Sequence, residues 1–288
     1  MSLTFEKTDK PLIDLFKEED FNFDYKLNPA VSEPEKTIYF DKNGPLETQI
    51  IEDINYVPLP AIRKGDFIRF FIGGRSGSYK SSTCGILIKR FLDAHNNKLF
   101  VLYYNCNEKD EKLEKYFKAI GNDNIIIFTP KNFEEAQKHH KIIPLSVDYL
   151  NDFQKKKKNI PMLLVFDDME ACNNNALKSA LHSFMLDLLQ RGRRHDTKTN
   201  NLSVINIQHT MTNGYQSIKL FNESNYAVFN LRAVPSNAIV NMLKNKFGYD
   251  DDIIDYILEN KKNGGGITFF STEYPMVIFN SQAIILQS

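Results

Sequence analysis

The sequence predicts an α/β protein in which a mostly parallel central sheet is flanked by helices. Three observations carry that expectation. The mostly apolar run Phe67–Ile72 ends in a glycine-rich turn and is followed by the helix-compatible stretch Thr83–Leu92. The run Met162–Phe166, bounded by Pro161, stops abruptly at Asp167 and Asp168. The strand-like stretch Leu202–Ile207 leads into Gln208. Short apolar runs bounded by turn residues read as strands of a buried parallel sheet. Open α/β sheets bind their ligands beyond the carboxyl ends of such strands.

The first turn carries the most chemistry. Gly73-Gly74-Arg75-Ser76-Gly77-Ser78-Tyr79-Lys80-Ser81-Ser82 lies between strand and helix, in the order of a nucleotide-binding P-loop. Backbone N–H groups of such a loop curl around phosphate, and the helix dipole adds to the attraction. The lysine reaches the β- and γ-phosphates, and the following hydroxyl ligates Mg²⁺. Gly74, Lys80 and Ser81 fit the usual spacing, but Tyr79 stands where a second glycine belongs. That glycine often takes a dihedral that tyrosine disfavours. Either Gly77 supplies the flexibility two residues earlier, or nucleotide binding is weakened.

The paired aspartates fit the same chemistry. Asp167 is the expected metal-side acid, acting partly through water because Mg²⁺ keeps much of its hydration. Asp168 is placed to orient or deprotonate the attacking water. Two further apolar runs, Leu99–Tyr104 and Ile125–Phe128, precede the acidic strand. If both are strands, at least one lies between the P-loop strand and the acidic strand. That insertion marks the additional-strand, RecA-like branch of P-loop NTPases.

A helix is predicted over 176–190, with Leu177, Leu181, Phe184, Met185, Leu188 and Leu189 on one face. It runs into Gln190-Arg191-Gly192-Arg193-Arg194-His195. The strand that follows brings Gln208 to the phosphate end of the sheet, where its amide could sense the γ-phosphate. A solvated helix end explains the arginines equally well by position alone.

The order of GGRSGSYKSS, LLVFDDME, RGRRH and VINIQHT resembles the genome-packaging ATPases of the FtsK–HerA superfamily. The closest branch is that of poxviruses, other nucleocytoplasmic large DNA viruses and virophages. The resemblance spans roughly Phe67 to Thr210. It implies Gly74, Arg75, Ser76, Gly77, Ser78, Tyr79 and Ser82 around ATP, with Lys80 and Ser81 on phosphate and Mg²⁺. It further implies Asp167 on the metal, Asp168 as the water-activating acid and Gln208 as sensor. Arg194, or its neighbour Arg193, would act on the nucleotide of an adjacent subunit. The implied partners are double-stranded DNA, capsid or vertex proteins, and further copies of the chain in a pentameric or hexameric ring. The implied setting is the host-cell cytoplasm at a viral factory, or the virion. Plasmid-transfer and helicase-type DNA pumps share these motifs, and Tyr79 keeps open a nucleotide-binding scaffold with impaired hydrolysis.

Composition bounds the rest. The 288 residues hold 36 basic and 36 acidic side chains, a zero formal charge that argues against a wholly basic DNA-binding domain. A ring motor needs only a basic pore, and Lys155–Lys158 and Lys138-His139-His140-Lys141 are local basic patches. Cys84, Cys106 and Cys172 are scattered, without metal-ligand spacing, and read as free thiols. No apolar run approaches the roughly 18 residues of a membrane helix. Residues 1–60, rich in acids and aromatics without clear period, read as an arm or extension. Residues 61–288 read as the ATPase domain with a C-terminal strand-helix extension. In that extension Tyr226–Leu231 reads as a strand and Asn237–Phe247 as a helix. A second helix runs through Glu259, and a terminal hairpin follows. The region holds no nuclease-like set of acids, which sets the reading apart from a terminase large subunit.

Overall fold

The computed structural model describes residues 2–8, 10–17, 21–22, 26–27, 33–44, 47–52, 55–96, 98–106, 117, 124–138, 145–156, 160–191, 202–209, 220–262, 266–273 and 275–287. The chain divides into two compact units, one of residues 62–73 and 81–224, the other of residues 1–61, 74–80 and 225–288.

The first unit is built on a parallel sheet of β8 (Arg69–Gly73), β9 (Phe100–Asn105), β10 (Ile125–Phe128), β11 (Met162–Asp167) and β12 (Leu202–Gln208). Their order is β10-β9-β11-β12-β8, parallel throughout. The runs at 99–104 and 125–128 are strands as expected. Neither separates the P-loop strand from the acidic strand, however: both lie beyond β11, and the inserted strand is β12. The chain returns to that slot after the helix that follows β11, so the additional-strand topology holds with a different strand filling it.

Strands β8, β9, β11 and β12 are buried at every position, because helices cover both faces. On one face α1 (Lys80–Ala94) packs Phe91 edge-on against Phe70. On the other lie α2 (Pro130–Lys138), α3 (Val147–Lys156) and α4 (Asn175–Arg191) in chain order, with Phe153 of α3 edge-on against Phe100. Phe184 of α4 meets Tyr104 and Phe166 edge-on, and Phe133 of α2 meets Phe128. The Tyr104 ring is stacked between Phe128 and Phe166, at 5.0 and 4.9 Å. Truncating one such ring to alanine costs roughly 3–5 kcal/mol.

Local sequence sets where these helices start. Thr129 and Asn132 cap each other's backbone ahead of α2, with Pro130 in the first helical position. Ser146 accepts from Tyr149 N ahead of α3, and Asn174 from Leu177 N ahead of α4. The apolar face predicted for α4 is buried, Leu177 through Leu189.

The second unit is antiparallel. β1 (Ser2–Thr4), β2 (Lys10–Lys17), β5 (Lys36–Asp41) and β7 (Tyr56–Pro60) form a sheet in the order β1-β5-β2-β7. β3 (Phe21–Asn22) and β4 (Lys26–Leu27) make a small pair. β13 (Tyr226–Asn230), β14 (Ile267–Ser271), β15 (Met276–Phe279) and β16 (Ala283–Gln287) pair in succession, and β6 (Gln49–Glu52) joins β16. The predicted terminal hairpin is thus β14–β15, extended by a strand from each end of the sequence. The helix expected over 237–247 is α5 (Ser236–Met242), continued by a π-helical turn, Leu243–Phe247, that ends at left-handed Gly248. α6 (Asp251–Lys262) opens on Asp251 and Asp252, as its dipole prefers.

Candidate functional site

Parallel register lines up the strand ends. Asn105, Asp167, Ile207 and Ile72 stand level across β9, β11, β12 and β8, and Gln208 pairs with Gly73. Residues level in a parallel sheet point to one face, so Asp167 shares its face with Phe70 and α1. Asp167 is 5% exposed, and its Oδ2 accepts the Tyr103 hydroxyl at 2.5 Å. A short charge-assisted bond of this kind fixes the carboxylate's rotamer. Tyr103 escaped the sequence reading. The available signal was a hydroxyl-bearing residue two positions before the end of an adjacent strand.

Asp168 leaves the sheet in a left-handed conformation, φ 49° and ψ 36°. Its carbonyl accepts Ala171 N at 2.8 Å, closing a tight turn. Its Oδ1 lies 2.6 Å from Nε2 of His209, a residue that the sequence reading left without a role. The two acids therefore have separate anchors, a phenol for Asp167 and an imidazole for Asp168.

Gln208, one residue beyond Ile207, faces the α4 side of the sheet. It is 2% exposed, and its amide oxygen has no hydrogen-bond partner among the described residues. Asn206, equally buried on the same face, has no partner among the described residues for either amide atom. Each unpaired buried polar group costs about 1–3 kcal/mol, so two together on one strand end are unusual for a purely structural edge.

The loop that leaves Gly73 is bent by its own chemistry. Gly74 has φ 146°, and a Cβ there would stand 2.5 Å from the Ser78 hydroxyl. Gly77 has φ 79° and Ser78 N donates to Arg75 O at 3.2 Å. Gly77 does not spare its neighbour: Tyr79 itself has φ 66°, with its side chain 54% exposed. The dihedral that the missing glycine would have taken is imposed on the tyrosine. Lys80 is buried and its ammonium donates to Gly74 O at 2.7 Å and Arg75 O at 3.1 Å. The cation thus sits on the loop's own backbone at the first residue of α1. Arg75 and Ser76 are exposed, Ser82 is buried, and Ser81 is intermediate at the head of the helix.

Arg193, Arg194 and His195 lie outside the described residues, as do Thr210, Lys157, Lys158 and 139–141. Among the described residues no group of three His, Cys, Asp or Glu side chains could hold a metal by itself. No described helix is long and apolar enough to cross a membrane.

A parallel sheet with β12 inserted between the glycine-loop strand and the acidic strand is the fold of the additional-strand P-loop NTPases. Solved structures similar to it include EssC, the type VII secretion ATPase EccC and a viral genome-packaging NTPase. One is EssC (ATPases 2 and 3) from Geobacillus thermodenitrificans, 13% identical with a TM-score of 0.44, covering 80% of this chain and 41% of that one. Another is the cytoplasmic domain of the type VII secretion ATPase EccC from Thermomonospora curvata, 14% identical with a TM-score of 0.45, covering 90% and 30%. A third is the genome-packaging NTPase B204 from Sulfolobus turreted icosahedral virus 2, in complex with AMP. It is 12% identical with a TM-score of 0.42, covering 72% of this chain and 93% of that one. The chain therefore spans less than half the length of the EssC and EccC chains. No family model and no curated protein sequence matches it.

Proposed function

We propose that this protein is a Mg²⁺-dependent ATPase that moves double-stranded DNA and packages a viral genome into its capsid. The observation that carries the nucleotide part is the line of groups at the sheet edge. Gly73, where the loop departs, pairs with Gln208, whose buried amide oxygen has no partner among the described residues, and Asp167 is held by Tyr103 on the next strand. The DNA part rests on the motif order GGRSGSYKSS, LLVFDDME, RGRRH and VINIQHT.

The donor set suits Mg²⁺, which favours one or two carboxylates, a hydroxyl and phosphate oxygens over an all-protein cage. Ser81 and Asp167 would hold it, and once bound it would neutralise charge on the β- and γ-phosphates. Lys80 exchanges its loop carbonyls for phosphate oxygens. The backbone N–H groups of 74–79 wrap the same oxygens, and Ser82 lies beside them at the helix start. Asp168, held by His209, orients the attacking water and accepts its proton. The Gln208 amide oxygen, an acceptor with no partner among the described residues, takes a hydrogen bond from the attacking water, while the NH2 group donates to the γ-phosphate. Subunits assemble in a ring of five or six, so that Arg194 or Arg193 reaches the neighbouring nucleotide, while capsid or vertex proteins dock the ring. The work is done in the host-cell cytoplasm or in the virion.

Turnover of ATP, measured with and without double-stranded DNA, tests this reading directly. Asp168→Asn keeps ATP binding and loses turnover, because Asp167 still organises the metal. Arg194→Ala lowers turnover on the order of a thousandfold with affinity nearly intact. Mixing it with a Lys80→Ala protein restores activity at shared interfaces. Full turnover by a strict monomer, or no rescue in verified hetero-oligomers, overturns the ring. A protein that binds ATP without turning it over is instead the scaffold that strained Tyr79 favours.

A further inference from the structure

We propose that Cys106 and Cys172 form an oxidation site, a thiol pair closed to a disulfide by a small-molecule disulfide such as oxidised glutathione. The two are remote in sequence but converge beside the acidic strand. Cys106 directly follows β9, and its N–H donates to the carbonyl of Asp167 at 3.3 Å. Beyond β11 the left-handed Asp168 starts a tight 3-10 turn, Met169–Ala171, that returns the chain. Cys172 closes that turn through its N–H to Met169 O, at 3.2 Å. The two thiols there lie within hydrogen-bonding reach of each other, and the Cys172 thiol also meets Asn174 O at 3.5 Å. Cys172 is buried and Cys106 partly exposed, so a small oxidant reaches the pair from the Cys106 side.

In the first step the Cys106 thiol loses its proton and its sulfur attacks glutathione disulfide, expelling one glutathione thiolate. The Cys172 thiol then loses its proton and displaces the second glutathione from Cys106. Two thiols give up two protons and two electrons, and one glutathione disulfide becomes two glutathione molecules. The new bond ties the end of β9 to the turn that carries Asp168. Its effect on hydrolysis rests on the nucleotide reading above; its formation does not.

The full chain, freed of reductant, is incubated with oxidised glutathione and quenched in denaturant with N-ethylmaleimide. The expected product carries one maleimide, on Cys84, and yields a peptide linking Cys106 to Cys172. Cys106→Ser gives no link under the same treatment. Three maleimides, or a stable glutathione adduct on Cys106 of the parent, would overturn the pair. In the same samples the closed form turns over ATP more slowly, on the order of a hundredfold, because small displacements at a reacting centre cost that much. Dithiothreitol restores the rate, and Cys106→Ser is insensitive to oxidant. A linked protein with undiminished turnover refutes the pinning of the turn. A linked protein whose reduced form never turns over ATP counts against the nucleotide reading alone.

Discussion

Buried polar residues are treated differently in the antiparallel sheets and at the edge of the parallel sheet. In the former, Thr37 donates to buried Asp14 at 2.9 Å, and Asn280 donates to buried Thr268 at 3.2 Å. The Asn280 side-chain oxygen Oδ1 accepts Gln282 N and Ala283 N, closing the turn between β15 and β16. These groups fasten loops and strands to one another. The buried Tyr249 hydroxyl is an exception: it has no partner among the described residues, and burial drives its pKa upward. On β12, by contrast, Asn206 and Gln208 bury amides with atoms that have no partner among the described residues, at a strand end where ligand chemistry is expected. Single unpaired atoms also occur elsewhere, as at Tyr249 and Gln154, so the mark of a candidate ligand edge is two such amides together on one strand end.

The strongest way to break that contrast is Lys80→Ala. The ammonium has loop carbonyls to hold, so a purely structural role predicts a loss of stability and nothing more. The nucleotide reading predicts that ATP affinity falls on the order of a hundredfold or more, since removing one partner of a buried charge pair costs roughly 2–5 kcal/mol. Isothermal titration alongside a denaturation curve separates the two outcomes.

Gln208→Leu is the next largest and the sharpest. Replacing an unsatisfied amide with an apolar side chain of similar length leaves stability unchanged or raises it by about 1 kcal/mol. Turnover falls on the order of a hundredfold, as for other lost donors to developing charge. A variant that is less stable yet fully active would show that the amide serves the fold.

Much of the parallel sheet was legible because its strands are buried on both faces. Phe67–Ile72, Met162–Phe166 and Leu202–Ile207 are near-continuous apolar runs, and their chemistry sits where each run stops. Strand order was not legible, since neither spacing nor composition says which strand a returning helix delivers to the slot beside β8. The strands of the first sixty residues were hidden for a different reason. β6 is half exposed and alternates weakly, and β2 owes its burial to partners that pair across the chain. The companions Tyr103 and His209 could not be read from motifs, because strand register, not sequence proximity, brings them to the two aspartates.

His209 tests one of those companions with a smaller expected effect. His209→Ala releases Asp168 and lowers kcat between about ten- and a hundredfold, while KM for ATP stays near the parent value. His209→Gln keeps a nitrogen donor near the Nε2 position and recovers most of the rate. A merely structural histidine would shift kcat and KM together, and glutamine would not rescue it.

Tyr79 marks the smallest and subtlest effect, and it bears on the loop itself. A non-glycine residue held at a left-handed φ is strained by about 1–2 kcal/mol. Glycine would relieve that strain but loses roughly 0.5–1 kcal/mol through the entropy of the unfolded chain. Tyr79→Gly should therefore stabilise the protein by about 0.5–1 kcal/mol, which urea unfolding can resolve. ATP affinity should stay level or improve, because the exposed ring is not needed for the backbone to curl. If affinity drops instead while stability rises, the ring contacts the nucleotide, and the strain at this position is kept for binding and not merely tolerated.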